Sequence, residues 1–149
     1  SSDVELDFDF TKVKEKTKDN PVFYVQYAYA RINSLLRTLN FGFLEKIKFE
    51  KDNLNINPIE EKIIKKVFEW PKIIESASKQ FDIHKIPFYL YDLSTLFHAY
   101  WSKGNENKNF KFIVDNKIKR NEIILIINLV AIVLQNGMKI LGVSLPDKM

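Results

Sequence analysis

The chain has 149 residues, 46% of them hydrophobic and 13% aromatic, which describes one globular domain with room for a real core. Cysteine is absent, so a disulfide framework and thiolate chemistry are excluded, and the acidic start Ser1-Ser2-Asp3 does not read as a signal peptide. The net charge of +4 is modest, so its placement matters more than its size.

The first segment reads as extended. Residues 3–10 alternate polar and apolar side chains strictly, the period of a half-buried strand. A lone strand lacks a partner, so this stretch is either a lead-in whose apolar side packs on the domain or a piece of a larger protein. A helix follows over about 20–39. Asn20 can cap it and Pro21 can occupy its first position, where a missing N–H is harmless. Val22, Val25, Tyr29, Ile32, Leu36 and Leu39 recur at three- and four-residue spacing and form the predicted core stripe. Phe23, Tyr27, Ala30 and Ser34, with Arg31 beside them, point almost the opposite way; a face of large aromatics and small residues is one that something else packs on. Tyr24, Tyr27 and Arg31 stand at i, i+3 and i+7 and share a broad surface.

Residues 40–57, with Phe41, Phe43 and Phe49, match no pattern. Further helices are predicted at about 58–69, 71–81, 87–102 and 119–141, punctuated by Pro58, Pro71 and Pro87. Asn57-Pro58 followed by Glu60 and Glu61 repeats the cap and proline of the first helix, and the macrodipole accounts for the acidic first turn. Between residues 103 and 120, Lys103, Lys108, Lys111, Lys117, Lys119 and Arg120 face only Glu106 and Asp115, so this segment holds the whole cationic surplus. Such a run is ordinarily a solvated loop. Here Trp101, Phe110 and Phe112 interleave with the cations, the combination of phosphate neutralisation and base stacking used on single-stranded nucleic acid. Lys103, Lys108 and Lys111 are the candidates for contact with a nucleic-acid backbone.

In the last helix, the apolar runs 123–127 and 129–134 are separated by Asn128 and followed by Gln135, Asn136, Gly137 and Lys139. Interrupted runs of that length suit the buried centre of a bundle better than a bilayer span of about 20 residues. Catalytic chemistry is not legible. There are two histidines, His84 and His98, and no cysteine to complete a zinc site or thiol triad; no carboxylate sits close enough in sequence to orient His98, surface or capping roles are expected for both, and no Gly-rich phosphate loop exists.

The run Asn20-Pro21-Val22-Phe23-Tyr24-Val25-Gln26-Tyr27-Ala28-Tyr29-Ala30-Arg31 resembles the "N-P-V-Y-Y-V-Q-Y-A-H-A-R" segment of arginyl-tRNA synthetases. Tyr89-Leu90-Tyr91-Asp92-Leu93 with Phe97-His98 is similar to that family's "Y-L-Y-D-L-A…F-H" helix, and residues 135–149 resemble its terminal "N-G-L-x-L-L-G-V-x-x-P-x-K-M". The three motifs occur in order across nearly the whole chain.

This resemblance implies an all-α bundle of about five to seven helices, the C-terminal anticodon-binding domain of the DALR type. Residues 1–19 would be a lead-in from a missing catalytic body, and 20–149 the domain itself. It implies arginine tRNA and that catalytic body as partners, ATP with magnesium as needs of the parent enzyme, no cofactor or metal in this fragment, no membrane, a monomer and a cytoplasmic setting. Neither a "H-I-G-H"-like nor a "K-M-S-K"-like loop is present, so this polypeptide is expected not to activate arginine. The resemblance also implies the contacts Tyr24, Tyr27, Arg31, Trp101 and Met149 for the anticodon loop. Trp101 stands where relatives usually carry tyrosine, which preserves stacking and loses the hydroxyl. The rival reading is a helical module that docks a partner protein through Phe23, Tyr27, Ala30 and Ser34.

Overall fold

The computed structural model describes residues 17, 19–42, 55–115 and 117–149. The alternation over 3–10 and most of the 40–57 stretch, Phe43 and Phe49 included, lie outside the described residues. The described residues form helices α1 (Pro21–Thr38), α2 (Pro58–Phe68), α3 (Trp70–Gln80), α4 (Lys85–Glu106) and α5 (Asn121–Ile140). Between α4 and α5 lie a 3-10 turn, Lys108–Phe110, and a hairpin of β1 (Ile113–Val114) with β2 (Lys117–Ile118), antiparallel with Ile113 opposite Ile118. The fold class is all-α, as expected.

The predicted caps are in place. The Asn20 side-chain oxygen accepts from the amides of Val22 and Phe23 at 3.1 and 3.3 Å, with Pro21 opening α1. Asn57 accepts from Ile59 and Glu60, and Glu60 Oε2 accepts from the Asn57 amide at 2.9 Å, a reciprocal capping box. Helix α4 starts two residues before Pro87, because a proline in the first turn sacrifices no intrahelical bond.

Side-chain pairs define the helix directions. Tyr24 meets Tyr91 and His98 while Arg31 meets Trp101, so α1 runs alongside α4 in the same sense. Glu60 meets Tyr100 and the Tyr89 hydroxyl donates to the Lys66 carbonyl, so α2 runs against α4. Gln135 reaches the Tyr29 hydroxyl and Gly137 abuts Leu90, so α5 also runs against α1 and α4. One end of the bundle therefore holds the starts of α1 and α4 with the finishes of α2 and α5, and the other end holds the reverse.

The core stripe of α1 holds at Val25, Tyr29, Ile32 and Leu36, all buried, with Leu39 partly covered. Val22 departs from it: in the first turn, at the end of the bundle, it is 45% exposed among the described residues. Helix α5 is long and apolar enough to cross a membrane by length and composition, yet 61% of its apolar stretch is buried inside the bundle. Asn128 is tolerated there because its side-chain amide donates to the Ile124 carbonyl one turn back at 2.9 Å.

Glu60 does more than complement a dipole. Its side chain is fully buried and Oε1 receives both the Tyr100 hydroxyl and the Arg120 guanidinium, tying α2, α4 and the start of α5 at one point. Burial, joined by the Glu60 carboxylate, pushes the Tyr100 hydroxyl far above the ordinary phenol range, so it stays a donor.

Helix α5 packs tightly on α4 at Gly137, where a Cβ would lie 2.6 Å from Leu90 Cδ2. Leu90 is itself fully buried and cannot swing away. Gly137→Ala is accordingly expected to destabilise the fold by about 1–3 kcal/mol through overpacking, despite the better helix propensity of alanine. A urea unfolding midpoint at or above that of the parent protein would refute this.

Candidate nucleic-acid interface

Arg31, two turns before the C-terminus of α1, is the centre of the site. Its Nη2 donates to the Tyr27 hydroxyl at 2.8 Å, and its guanidinium carbon lies 4.3 Å from the Tyr27 ring centroid and 5.3 Å from that of Trp101. A planar cation held between two aromatic faces loses little conformational freedom when it meets an anion or a base edge. Tyr27, Arg31 and Trp101 are all half-buried, so their outer surfaces reach solvent.

His98 holds this arrangement from below, contrary to the expected surface or capping role. It is 7% exposed, its Nδ1 lies 3.3 Å from Arg31 Nη1 and its Nε2 3.2 Å from the Tyr24 carbonyl. A guanidinium only donates and a carbonyl only accepts, so the partners assign the neutral tautomer with the proton on Nε2. The ring also packs on Tyr24 at 4.4 Å and Tyr27 at 5.5 Å. Burial first, and the Arg31 charge in addition, hold the His98 pKa below its ordinary value of 6.5 against the opposing Tyr24 hydrogen bond. The sequence carried one signal for this: Tyr91, His98 and Trp101 stand at i, i+7 and i+10 on one side of a helix. His84, by contrast, is exposed beside Asp82 at the start of α4, as expected.

A pH dependence follows with a definite sign. Because the folded pKa is depressed, the neutral ring contributes its full stabilisation above about pH 6.5, and the contribution is lost as pH falls from there through the folded value. Protonation would place a ring N–H against the Arg31 N–H and push Arg31 off its aromatic seats. Carbon and nitrogen NMR of the His98 ring is expected to show titration below 6.5; titration at or above that value would refute the neutral assignment.

Tyr24 is half-buried against His98 and, at 5.3 Å, Tyr91, and burial raises its hydroxyl pKa. Its ring packs on His98 from the same helix that carries Tyr27 and Arg31. Met149 reaches the face that Tyr27 and Arg31 share. Gln26 Nε2 donates to the Ser144 carbonyl at 2.8 Å, Asn33 to Asp147 Oδ1 at 3.2 Å and Arg37 to the Asp147 carbonyl at 3.1 Å, strapping the final residues along α1. Tyr27, Ala30, Arg31, Ser34, Lys148 and Met149 then line a cleft of about 420 Å³, and Ala30, expected on an open face, is buried at 5% exposure.

The basic segment divides in two. Arg120 serves Glu60, and Lys119 Nζ donates to the carbonyls of Lys108 and Asn109 at 3.3 and 2.7 Å, so both cations build the fold. Lys103, Lys108, Lys111 and Lys117 are exposed, with Lys103 Nζ 5.7 Å from the Phe110 centroid. Lys111 lines a second, smaller cleft of about 210 Å³ with Trp101 and Asn105. Phe112 is not a stacking platform: it is buried, 4.5 Å from Tyr100 and edge-on to Trp101 at 5.5 Å, and so supports the indole from beneath.

An all-α bundle that sets a guanidinium against two aromatic rings, with an exposed lysine lining the adjoining cleft, has the equipment of a helical nucleic-acid-binding domain. The family model of the DALR anticodon binding domain matches residues 25–149, and the chain belongs to that family. It is 48% identical over 149 residues, its whole length, to a Pelagibacter ubique protein named arginine–tRNA ligase, and 41% identical over 97% of its length to one of the same name from Rhizobium meliloti. It spans about a quarter, 26%, of the length of these curated relatives. Its fold matches a solved arginyl-tRNA synthetase chain from Campylobacter jejuni with a TM-score of 0.82 at 24% identity, covering 100% of this chain and 31% of that one. A Thermus thermophilus arginyl-tRNA synthetase gives 0.71 at 20% identity, over 95% and 23% of the two chains. The rival reading of a protein-docking module finds no support in these comparisons.

Proposed function

We propose that the chain is the tRNA-recognition domain of an arginine–tRNA ligase, gripping the anticodon arm of arginine tRNA while a catalytic body outside this chain attaches arginine. The observation that carries this reading is the convergence of Tyr27, Arg31 and Trp101 on one solvent-facing surface, with Lys111 beside Trp101, in a member of the anticodon-binding family. An unpaired base stacks on the tyrosine or indole, and the Arg31 fork pairs with a phosphate or a guanine edge. Met149 closes the cleft next to Arg31. Lys103, Lys108 and Lys111 neutralise phosphates and set register without reading sequence. Residues 1–19 lead in from the catalytic body, and 20–149 form the domain.

The ligase works in the cytoplasm as a monomer, and its ATP and magnesium bind in the catalytic body. This chain carries neither of the loops that hold ATP in class I synthetases, so its contribution is positioning and discrimination.

The test is a fluorescence titration with arginine tRNA bearing native or altered anticodon loops, at two salt concentrations. Altered loops are expected to bind more weakly. Affinity is expected to fall roughly 10- to 100-fold between 50 and 200 mM salt as a few lysines release counterions. Binding indifferent to both loop and salt would overturn the proposal.

A further inference from the structure

Arg31 is aimed as well as seated. The rings of Tyr27 and Trp101 flank its guanidinium, but ring faces do not fix which way a planar fork points. Two hydrogen bonds do that: Nη2 donates to the Tyr27 hydroxyl at 2.8 Å and Nη1 to His98 Nδ1 at 3.3 Å. Tyr27 shares a helix with Arg31 and moves with it. His98 comes from α4 and is locked, with Nε2 on the Tyr24 carbonyl at 3.2 Å, Tyr24 and Tyr27 packed on its ring, and 7% exposure. Among the described residues these are the only hydrogen-bond partners of the guanidinium, so its remaining N–H groups are available to a ligand.

The ring can aim Arg31 only while Nδ1 keeps its lone pair. A proton there sets donor against donor and cation against cation. No neighbouring charge relieves this among the described residues. From α1 the ring meets Arg31 and the phenols of Tyr24 and Tyr27, with Tyr91 of α4 behind Tyr24. The nearby carboxylates are committed elsewhere: Asp92 of α4 to Lys66, Glu60 of α2 to Tyr100 and Arg120, and Glu122 of α5 to the Asn55 amide. Lys139 of α5 is exposed, and Lys148 of the C-terminal strap brings a further cation to the Arg31 cleft.

We propose that His98 is the positioning residue of the RNA grip: its unprotonated Nδ1 aims the Arg31 fork at the nucleotide, and protonating this ring releases tRNA. This rests on the function proposed above. The direction runs against simple charge, since a protonated histidine ordinarily adds a cation for phosphates to meet. His98 lies beneath Arg31 and out of solvent, so its charge would reach a phosphate only by displacing the better cation.

The test is fluorescence titration with arginine tRNA at fixed salt, from about pH 7.5 down through the NMR midpoint of the His98 ring, for the parent chain, His98→Gln and His98→Phe. The chain has two histidines and each variant keeps His84, so differences report on position 98 alone. The parent is expected to lose affinity roughly 5- to 20-fold, a part of what deleting Arg31 removes, with the midpoint of the His98 ring. Glutamine offers Arg31 an oxygen and the Tyr24 carbonyl an amide at every pH, so His98→Gln is expected to bind within about threefold of the parent at neutral pH and to be flat with pH. His98→Phe keeps the packing and removes the acceptor, so it is expected to bind about fivefold more weakly at neutral pH, also with a flat profile. Parent affinity that holds or rises in acid overturns the proposal, as does His98→Phe binding within twofold of the parent. Melting curves at each pH separate grip from fold, and affinity that falls only where the protein unfolds overturns it as well. Should His98→Phe not fold, the parent and His98→Gln profiles decide. Binding that ignores the anticodon loop yet falls with the His98 titration would instead sink only the anticodon reading.

Discussion

Arg31→Ala is expected to weaken binding of arginine tRNA by about 2–3 kcal/mol, roughly 30- to 150-fold, the range for deleting a charged donor that is already in its binding geometry. The size follows from how the side chain is held. Tyr27 takes one guanidinium nitrogen at 2.8 Å, His98 fixes another at 3.3 Å, and the Trp101 ring centroid lies 5.3 Å from the guanidinium carbon. A ligand therefore meets a cation already ordered, and the entropy of immobilising it was met on folding. Arg31→Lys keeps the charge and loses the planar fork, so it is expected to recover only part of the affinity. Trp101→Ala removes stacking alone and is expected to cost about 1–3 kcal/mol. Fluorescence titration measures all three. Arg31→Ala binding within twofold of the parent protein, with melting unchanged, would remove Arg31 from the interface.

Glu60→Ala is expected to have the largest effect on stability, about 2–4 kcal/mol, because it removes the buried carboxylate that serves both the partly exposed Arg120 guanidinium and the buried Tyr100 hydroxyl. The same change deletes half of the α2 capping box and leaves the Tyr100 hydroxyl without its acceptor. Glu60→Gln keeps an acceptor oxygen but no charge, so it is expected to fall between Ala and the parent protein. Against a total stability of about 5–15 kcal/mol, the alanine variant loses a large fraction of its margin. Urea unfolding measures this, and a Glu60→Ala loss below about 1 kcal/mol would show that Arg120 and Tyr100 find other partners. Glu60 is sealed inside the core and holds Tyr100 and Arg120, not Arg31, so the folded variant is expected to bind tRNA normally. Opposite patterns for Arg31 and Glu60 would separate gripping from folding.

Much of the architecture was legible from local rules. Asn20-Pro21 and Asn57-Pro58 announced two helix starts because a cap needs only an acceptor side chain and a proline needs only a free first turn. The interrupted apolar runs of α5 marked a central helix because burial on most sides leaves few polar positions. The adjacency of Tyr27 and Arg31 was also available, since residues one helical turn apart are neighbours wherever the helix goes.

Tertiary structure decided the rest, because the meeting of residues far apart in sequence is set by packing and not by spacing. Spacing alone left His98 a bland histidine; only the parallel passage of α1 beside α4 puts it under Arg31 and buries it in neutral form. The same passage carries Trp101 to Arg31 from a distant part of the chain, and the strap of Gln26, Asn33 and Arg37 carries Met149 back to the cleft. Glu60 looked like a dipole partner until Tyr100 and Arg120 arrived from two other parts of the fold. Composition and periodicity determined a helical bundle with a basic, aromatic-rich segment. Which of its aromatics would face solvent, and which cations would be consumed in holding the fold, depended on how the helices close around one core.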